Sequence, residues 1–292
     1  MAEARVGISG WRYRPWRGVF YPTGLRQADE LAYAAERMTS IELNGSFYSL
    51  QRPTSWVRWR DGTPDGFVFA VKGPRFITHV KRLGDVGAPL ANFFASGVLE
   101  LGAKLGPVLW QLPPTLRFDP DLLDTFLGRL PETRADAAAL AARHDDRMEG
   151  RTSFAAAAAG AAGDARIRYA VEVRHPSFED AADEWSAVLE RHGAASVTAD
   201  TAGKYPRLDR TTADFAYARL HGEEELYASG YDDASLDRWA QWTRDHLDAG
   251  RDAYLYFDND IKVRAPFDAI GLIGRLPRPA AMPRSADAPG RP

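Results

Sequence analysis

The sequence predicts a single α/β domain, a TIM-type (β/α)8 barrel. Short β-branched or aromatic runs recur about eight times along the 292 residues, and most are followed by a stretch with helical periodicity. Such alternation implies parallel strands joined by crossovers. No glycine-rich dinucleotide loop or Walker loop follows any run, which favours a closed barrel over an open doubly wound sheet. A barrel of this kind needs about 250 residues, so the chain accommodates one.

Each predicted strand is apolar until its last residues. The strands are predicted at Arg5–Gly10, Ser40–Asn44, Phe67–Lys72, Val108–Leu112, Tyr169–Arg174, Ala195–Asp200, Phe215–His221 and Ala253–Asp258. Helices are predicted where apolar residues form a stripe at helical spacing. They span Leu25–Met38, Ala91–Leu105, Asp121–Leu130, Glu179–His192 and Ser235–Ala249.

The unit after the sixth strand is irregular. Residues 201–214 contain Pro206 and no clear apolar stripe, so we expect a loop or short turn there. The barrel domain is expected to span residues 1–276, with an Ala-rich excursion at about 135–165 whose first part continues as helix through Arg143. Residues 277–292 are rich in Pro, Ala and Arg and are expected to be a disordered tail.

The composition excludes several classes of chemistry. Cysteine is absent, which removes disulfides, Cys-ligated zinc, iron–sulfur clusters and thiol nucleophiles. The net charge of −3 gives no global attraction to a polyanion, so such affinity would need a local basic patch. The chain shows neither an apolar signal segment nor an apolar run of membrane length, so we expect a cytoplasmic protein without a membrane partner.

Polar residues accumulate at the C-terminal ends of the predicted strands, the face where barrel enzymes build their active sites. Residues two apart share a side of a strand, so Glu42 points with Asn44 and Glu172 with Arg174. Inward charge is unfavourable unless it is paired, so repeated charge at one end predicts one shared polar site. Its predicted members are Glu42, Asn44, Lys72, His79, Gln111, Glu172, Arg174, His175, Asp200, Arg219, His221, Asp258 and Asn259.

Glu42 and Glu172 are the candidate general acid and base, with His221 assisting. The alternative is that Glu172 pairs with Arg174 or Lys72 and stabilises the barrel end. Lys72, Arg174 and Arg219 are expected to hold an anionic group of a substrate, or else to balance the acidic residues.

No resident cofactor is predicted. A divalent metal remains a possibility, because carboxylate and imidazole ligands suit Mn, Mg or Zn. The ligands would be Glu42, Glu172, Asp200, His221 and Asp258, although no closely spaced pair such as His-x-x-x-His supports the site.

The first loop, Trp11–Tyr21, mixes five large aromatic residues with arginines. We expect Trp11, together with Tyr48 from the neighbouring strand end, to line the pocket. Aromatic rings interleaved with Arg suit stacking on nucleic-acid bases with contacts to phosphate. Packing of the same rings against the barrel end is the alternative.

An ordered set of motifs resembles the YecE-like family, domain of unknown function 72. The motifs are Gly7-Ile8-Ser9-Gly10-Trp11, Glu42-Leu43-Asn44-Gly45-Ser46-Phe47-Tyr48, Phe69-Ala70-Val71-Lys72, Ile77-Thr78-His79, Gln111-Leu112-Pro113-Pro114, Glu172-Val173-Arg174-His175-Pro176-Ser177, Tyr217-Ala218-Arg219-Leu220-His221-Gly222 and Tyr256-Phe257-Asp258-Asn259-Asp260. The resemblance runs from about Val6 to Leu276 and implies a TIM-type barrel. It implies no reaction, because the activity of that family is not established.

The sequence therefore predicts an acid–base enzyme of the hydrolase or the lyase or isomerase type. Its substrate would be anionic, such as a sugar phosphate, a nucleotide or a nucleic acid. The alternative is a non-catalytic protein that binds a nucleotide or single-stranded nucleic acid. In a third interpretation the charges at the barrel mouth are purely structural.

Overall fold

Eight parallel strands close into a barrel in the order of the chain. They come from a computed structural model that describes residues 1–154 and 162–277. The strands are β1 (Ala4–Ser9), β2 (Ser40–Leu43), β3 (Val68–Lys72), β4 (Leu105–Gln111), β5 (Tyr169–Glu172), β6 (Ala195–Asp200), β7 (Phe215–Leu220) and β8 (Asp252–Phe257). The predicted (β/α)8 barrel is confirmed.

The helices lie between the strands. They are α1 (Glu30–Ala35), α2 (Gly45–Tyr48), α3 (Pro53–Asp61), α4 (Gly87–Ala95), α5 (Pro120–Leu127), α6 (Arg134–Ala141), α7 (Ser177–Asp180), α8 (Ala182–Arg191), α9 (Asp233–Asp248) and α10 (Ala265–Ile273). Residues 201–214, between β6 and β7, contain no helix, as the sequence predicts.

Alternation along the strands divides the core into two layers. Ile41, Leu43 and Val171 pack in the outer layer between strands and helices. The inner layer is filled by small residues on one side and by rings on the other, including Tyr217 and Tyr256. Residues that alternate with the outer-layer positions therefore point into the barrel. At the C-terminal end of the barrel these inward residues are polar.

Two helix predictions need correction. The predicted helix Ala91–Leu105 is wrong as a single element, because α4 ends at Ala95 and a 3-10 segment, Val98–Lys104, follows. Gly97 separates them with φ of 100°, and a Cβ there would lie 2.8 Å from Pro53 Cα. The predicted helix Leu25–Met38 is reduced to a 3-10 turn followed by the short α1.

The helices α3 and α10 were not predicted from the sequence. In the Ala-rich excursion, α6 occupies the first part, where helix was expected. Residues 155–161 of that excursion and residues 278–292 of the predicted tail lie outside the described residues. The domain boundaries at 276 and 277 stay a prediction.

Candidate active site

Arg219 is the centre of a buried charge cluster at the C-terminal end of the barrel. It points inward from β7 and is fully buried. Its Nη2 donates to Glu42 Oε1 at 2.8 Å and to Asp258 Oδ2 at 2.9 Å, and its Nη1 donates to Glu172 Oε2 at 2.7 Å. One guanidinium from β7 thus joins carboxylates from β2, β5 and the end of β8.

Every oxygen of the Glu42 carboxylate has a partner. Oε1 also accepts from the Ser9 hydroxyl at 2.9 Å, and Oε2 accepts from the Tyr217 hydroxyl at 2.7 Å. Strand alternation is the cause, because Ser9, Glu42, Tyr217 and Arg219 all occupy inward positions. The Glu42 carboxyl group is therefore held in one position beneath the barrel mouth.

Glu172 is held in the same way. Its Oε1 accepts from Gln111 Nε2 at 2.7 Å and from Arg174 Nε at 2.9 Å. Burial alone would raise the pKa of Glu172, but Arg219 and Arg174 outweigh it and keep the pKa well below its usual value. Glu42 and Glu172 lie on opposite sides of the same cluster, and the alternative pair of Glu172 with Arg174 is present. The position of Arg219 between the two carboxyl groups was not predicted.

His221 and Asp258 form the third side of the cluster. Arg219 Nη1 lies 3.2 Å from His221 Nε2, and since a guanidinium can only donate, Nε2 accepts and the imidazole proton sits on Nδ1. His221 Nδ1 lies 3.1 Å from Asp258 Oδ2, at ion-pair distance but without hydrogen-bond geometry. Burial and Arg219 lower the pKa of His221, which favours neutral imidazole.

Asp258 stays ionised. Burial would raise its pKa, but the guanidinium of Arg219 outweighs burial, and the pKa of Asp258 is lowered to about 2. Three carboxyl groups, those of Glu42, Glu172 and Asp258, thus surround one guanidinium.

Lys72 lies above this cluster and has a different character. Its side chain points inward at the end of β3, is only 7% exposed, and places Nζ 4.4 Å from the centroid of the Phe47 ring. Within residues 1–154 and 162–277, no hydrogen bond or ion pair engages its ammonium group. Burial and Arg219 lower the pKa of Lys72 to about 8, against smaller opposing effects of the nearby carboxylates.

Gly73, the next residue, places the end of β3 against the barrel wall. A Cβ at Gly73 would lie 2.2 Å from Trp110 Cζ3 of β4. A residue without a side chain is therefore needed for β3 to leave the barrel directly after Lys72.

His79 and Arg174 share the surroundings of Lys72. Burial, Lys72 and Arg75 lower the pKa of His79 to about 4, so its imidazole is neutral at physiological pH. The guanidinium of Arg174 stacks 4.7 Å from the centroid of Tyr205 and donates through Nη2 to the Tyr227 hydroxyl at 3.3 Å. Its Nη1 has no hydrogen-bond partner in the part of the chain that is described. Cationic and neutral donors thus converge near the end of β3.

Trp11, Asn44 and Tyr48 line a separate hollow of about 280 Å³ beside the mouth. Trp11 is almost fully buried and packs edge to face on Trp59 at 5.6 Å, while Tyr48 is 75% exposed. Asn44 Oδ1 is buried without a hydrogen-bond partner. In the first loop, Trp16, Phe20 and Tyr21 are fully buried, which supports packing rather than stacking on bases.

Three predicted binding residues contact the surrounding loops. His175 Nδ1 lies 2.9 Å from the Ser177 hydroxyl, and Asp200 Oδ2 accepts from the Tyr231 hydroxyl at 3.1 Å. Asn259 is fully buried and donates to the Ser229 carbonyl at 2.8 Å. The contacts of Asp200 and Asn259 fix the segment after β7, and any contact of these residues with a substrate stays a prediction.

Asp260 is a candidate that the sequence reading did not single out. It lies two residues beyond Asp258, near Tyr13, and burial together with the charge of Asp258 raises its pKa to about 6. The signal was present in the triplet Asp258-Asn259-Asp260, but strand alternation stops applying once β8 ends at Phe257. A carboxyl that titrates near neutral pH suits proton transfer.

A cavity of about 800 Å³ lies at the opposite end of the barrel. It is lined by residues at or before the starts of strands, such as Leu105, Arg168 and Tyr254. Barrel enzymes build their active sites at the C-terminal ends of the strands, so this cavity at the other end is not the candidate active site. Among the described residues, no three histidine or acidic side chains are arranged to hold a metal ion, and the divalent-metal prediction remains untested.

Comparison with known proteins identifies the family. The family model described as "Protein of unknown function DUF72" matches residues 5–291. The chain belongs to this family. The resemblance stated from the motifs is therefore confirmed, and the family description names no activity.

Curated DUF72 relatives are distant. The chain is 25% identical to the UPF0759 protein YecE of Escherichia coli O157:H7 over 202 residues, which cover 67% of this chain and 58% of that protein. For the protein of the same name in Escherichia coli strain K12, identity is 26% over 176 residues, covering 59% and 49%. The chain thus spans about half to three fifths of the length of these relatives.

Solved DUF72 structures share the barrel. A DUF72 family protein from Thermotoga maritima MSB8 superposes with a TM-score of 0.71 at 25% identity, covering 93% of this chain and 98% of that one. A DUF72 family protein from Enterococcus faecalis V583 gives a TM-score of 0.69 at 15% identity, covering 97% and 100%. None of the helices within residues 1–154 and 162–277 has the length and apolar character needed to cross a membrane.

Proposed function

We propose that this DUF72 protein is an enzyme that performs acid–base chemistry on an anionic substrate bound where β3 and β5 end. The observation that carries the proposal is the ammonium group of Lys72. A buried charge without a hydrogen-bond or ion-pair partner is unfavourable, and a bound anion would remove that penalty. Purely structural charges are normally paired, as Arg219 is.

The anion site would combine Lys72 with Arg174. Arg174 is anchored through Nε to Glu172, so its position is fixed before a ligand arrives, and no described residue accepts a hydrogen bond from its Nη1. His79 adds a neutral imidazole, which contacts an anion or a hydroxyl without adding charge. A preorganised set of donors of this kind stabilises negative charge that develops during a reaction.

Proton transfer in this proposal falls to Asp260, because its pKa of about 6 lies near physiological pH. Glu42 and Glu172 hold Arg219 and Arg174 in place. Direct proton exchange by these two glutamates, assisted by His221, stays a prediction from the sequence. The hydrolase and the lyase or isomerase reactions are both compatible with this set of groups.

A ligand screen followed by a turnover assay tests the proposal. Thermal shift is measured with inorganic phosphate, sugar phosphates, nucleotides and dicarboxylates for the wild type, Lys72→Met and the matched control Lys262→Met, which alters an exposed lysine. Ligands that stabilise the wild type and the control but not Lys72→Met are then incubated with the protein and followed by NMR for conversion.

Conversion of such a ligand, lost in Asp260→Asn, supports the enzyme. A ligand that binds through Lys72 and is never converted would replace it with the non-catalytic binding protein. If no anion distinguishes the wild type from Lys72→Met, the proposal fails and the charges at the mouth are structural.

A further inference from the structure

A second concave surface of about 740 Å³ borders the barrel mouth; we call it the basic groove. Its lining comes from the end of α2 and residues 49–52, from residues 74–81 after β3, from the start of α4 and from residues 145–151. Its volume lies within the range of ligand sites, roughly 300–1,000 Å³. No function considered so far uses these residues except Tyr48.

The basic groove carries five basic side chains and two acidic ones. Lys81 is paired with Asp85 at 3.1 Å. The remaining basic side chains have no hydrogen bond or ion pair from the described part of the chain, and they are Arg52, Arg75, Arg147 and Arg151. On a chain of net charge −3, these four exposed arginines outnumber the remaining acidic residue of the groove, Asp145, and create a local positive field.

Exposed aromatic rings stand among these arginines. Tyr48 is 75% exposed and Phe76 is 44% exposed, and both line the basic groove. Phe47 supports Tyr48 edge to face at 5.1 Å, which holds that ring in place without covering it. In the first loop, by contrast, four of the five rings are buried and offer no stacking surface, namely those of Trp11, Trp16, Phe20 and Tyr21.

We propose that the basic groove binds single-stranded nucleic acid. Arginines supply contacts to successive phosphates, and rings supply faces on which bases stack. Stacking needs bases that are not paired within a duplex, so the exposed rings favour a single strand. An acidic peptide or inorganic polyphosphate would use the arginines but has no bases to place on Tyr48 and Phe76.

The basic groove lies beside the proposed anion site, but binding in the groove does not depend on that site. Phe47 lines the basic groove, and the Lys72 ammonium lies 4.4 Å from the centroid of the Phe47 ring. A strand in the groove would therefore lie beside the proposed anion site. Binding itself does not require any reaction at Lys72, because Lys72 is not part of the groove lining.

Fluorescence anisotropy with labelled oligothymidylate of about 12 nucleotides, a length within the usual site sizes, tests the proposal. The charge variant is Arg147→Glu/Arg151→Glu. Its matched control is Arg129→Glu/Arg166→Glu, which makes the same change of charge at exposed arginines toward the opposite end of the barrel. Tyr48→Ala and Phe76→Ala test stacking, and Lys72→Met separates this proposal from the proposed enzyme site.

The expected result is affinity that falls with salt with a logarithmic slope of about −3, from four arginine contacts to a single strand. The groove charge variant should bind at least tenfold more weakly than the wild type. Each aromatic variant should bind at least about fivefold more weakly. The control variant and Lys72→Met should retain binding. Thermal melting of each variant shows that the exposed substitutions leave the fold intact.

Three outcomes would overturn the proposal. The first is absence of binding to the oligonucleotide at about 50 mM salt. The second is an equal loss in the control variant, which would show attraction without a site. The third combines two results: Tyr48→Ala and Phe76→Ala leave binding unchanged, and inorganic polyphosphate competes as well as the oligonucleotide per phosphate group. That outcome would assign the groove to a polyanion without bases.

Discussion

The Glu42 carboxylate receives the guanidinium of Arg219 side-on, with Nη2 2.8 Å from Oε1 and Nε 3.0 Å from Oε2. Both side chains are fully buried, so neither charge is satisfied by water. Bidentate geometry makes this the strongest kind of ion pair available to side chains. Removing one partner leaves the other charge buried and uncompensated.

Arg219→Met should therefore destabilise the protein by about 3–5 kcal/mol, because it removes the one guanidinium that joins three carboxylates. Urea unfolding followed by tryptophan fluorescence measures the change. The control is Arg26→Ala, which breaks an exposed pair with Asp29 and should leave the free energy of unfolding almost unchanged. Equal effects of the two substitutions would contradict a central role for Arg219.

Lys72→Met should have the opposite effect on stability while abolishing anion binding. The pKa of Lys72 is lowered to about 8, so the folded state disfavours the charged form, and an apolar replacement at pH 7 should raise the free energy of unfolding by an amount on the order of 1–3 kcal/mol. For the wild type, the unfolded state binds more protons between pH 8 and 10.5, so Lys72 contributes stability that increases over that window.

Measuring the difference in unfolding free energy between wild type and Lys72→Met from pH 7 to 10 checks this. The advantage of the variant should shrink as the pH rises through 8. Lys72→Arg is the companion variant, since its guanidinium stays charged and should keep anion affinity constant over a range in which wild-type affinity falls. A variant that is less stable than wild type at every pH would refute the explanation.

The positions of these groups were predictable only in part from the sequence. Residues two apart on one strand share a side, which placed Glu42, Glu172 and Arg219 inside the barrel. Which strand faces which across the mouth depends on the register of barrel closure, and that is set by packing of the whole sheet. Arg219 bridges Glu42 and Glu172, and the Lys72 ammonium has no hydrogen-bond or ion-pair partner among the described residues, as consequences of that closure.

Loops limited the prediction for a different reason. Asp260 and the basic groove, which Tyr48 and Phe76 line, lie beyond the strand ends, where no simple periodicity relates sequence position to direction. The single helix predicted at Ala91–Leu105 failed because Gly97 takes a left-handed conformation that apolar spacing does not reveal.

Asp260 should titrate near pH 6. Burial comes first among the causes, and the negative charge of Asp258 adds to it, while Tyr13 opposes the shift through a hydrogen bond. Carbon-13 NMR of labelled aspartate, assigned with Asp260→Asn, measures the midpoint. Asp258→Asn removes the neighbouring charge and should move the midpoint of Asp260 downward.

The same titration contributes to stability with a defined sign. The folded-state pKa of Asp260 is raised above the unfolded value, so its contribution is fully present below about pH 4 and is lost as pH rises through about 6. His79, with its pKa lowered to about 4, acts in the opposite direction over a similar window. Comparing the wild type with Asp260→Asn isolates the carboxyl, and a difference that does not vary with pH would contradict its raised pKa.

Gly73 should tolerate no side chain. A Cβ there would lie 2.2 Å from Trp110 Cζ3, inside the buried wall between β3 and β4, so Gly73→Ala forces either the ring or the strand end to move. Overpacking of this kind destabilises by about 1–3 kcal/mol. It would also displace Lys72, so the loss of anion affinity should accompany the loss of stability.

Gly87→Ala is the matched control for Gly73→Ala. It makes the same substitution at the start of α4, where a Cβ would meet nothing within 4 Å. Alanine also favours helix over glycine by up to about 1 kcal/mol in a helix interior, so this variant should be neutral or slightly more stable. Thermal melting and phosphate titration of both variants measure the two effects. If Gly73→Ala melts with the wild type and binds phosphate equally well, Trp110 does not fix the end of β3, and the position of the Lys72 ammonium needs another cause.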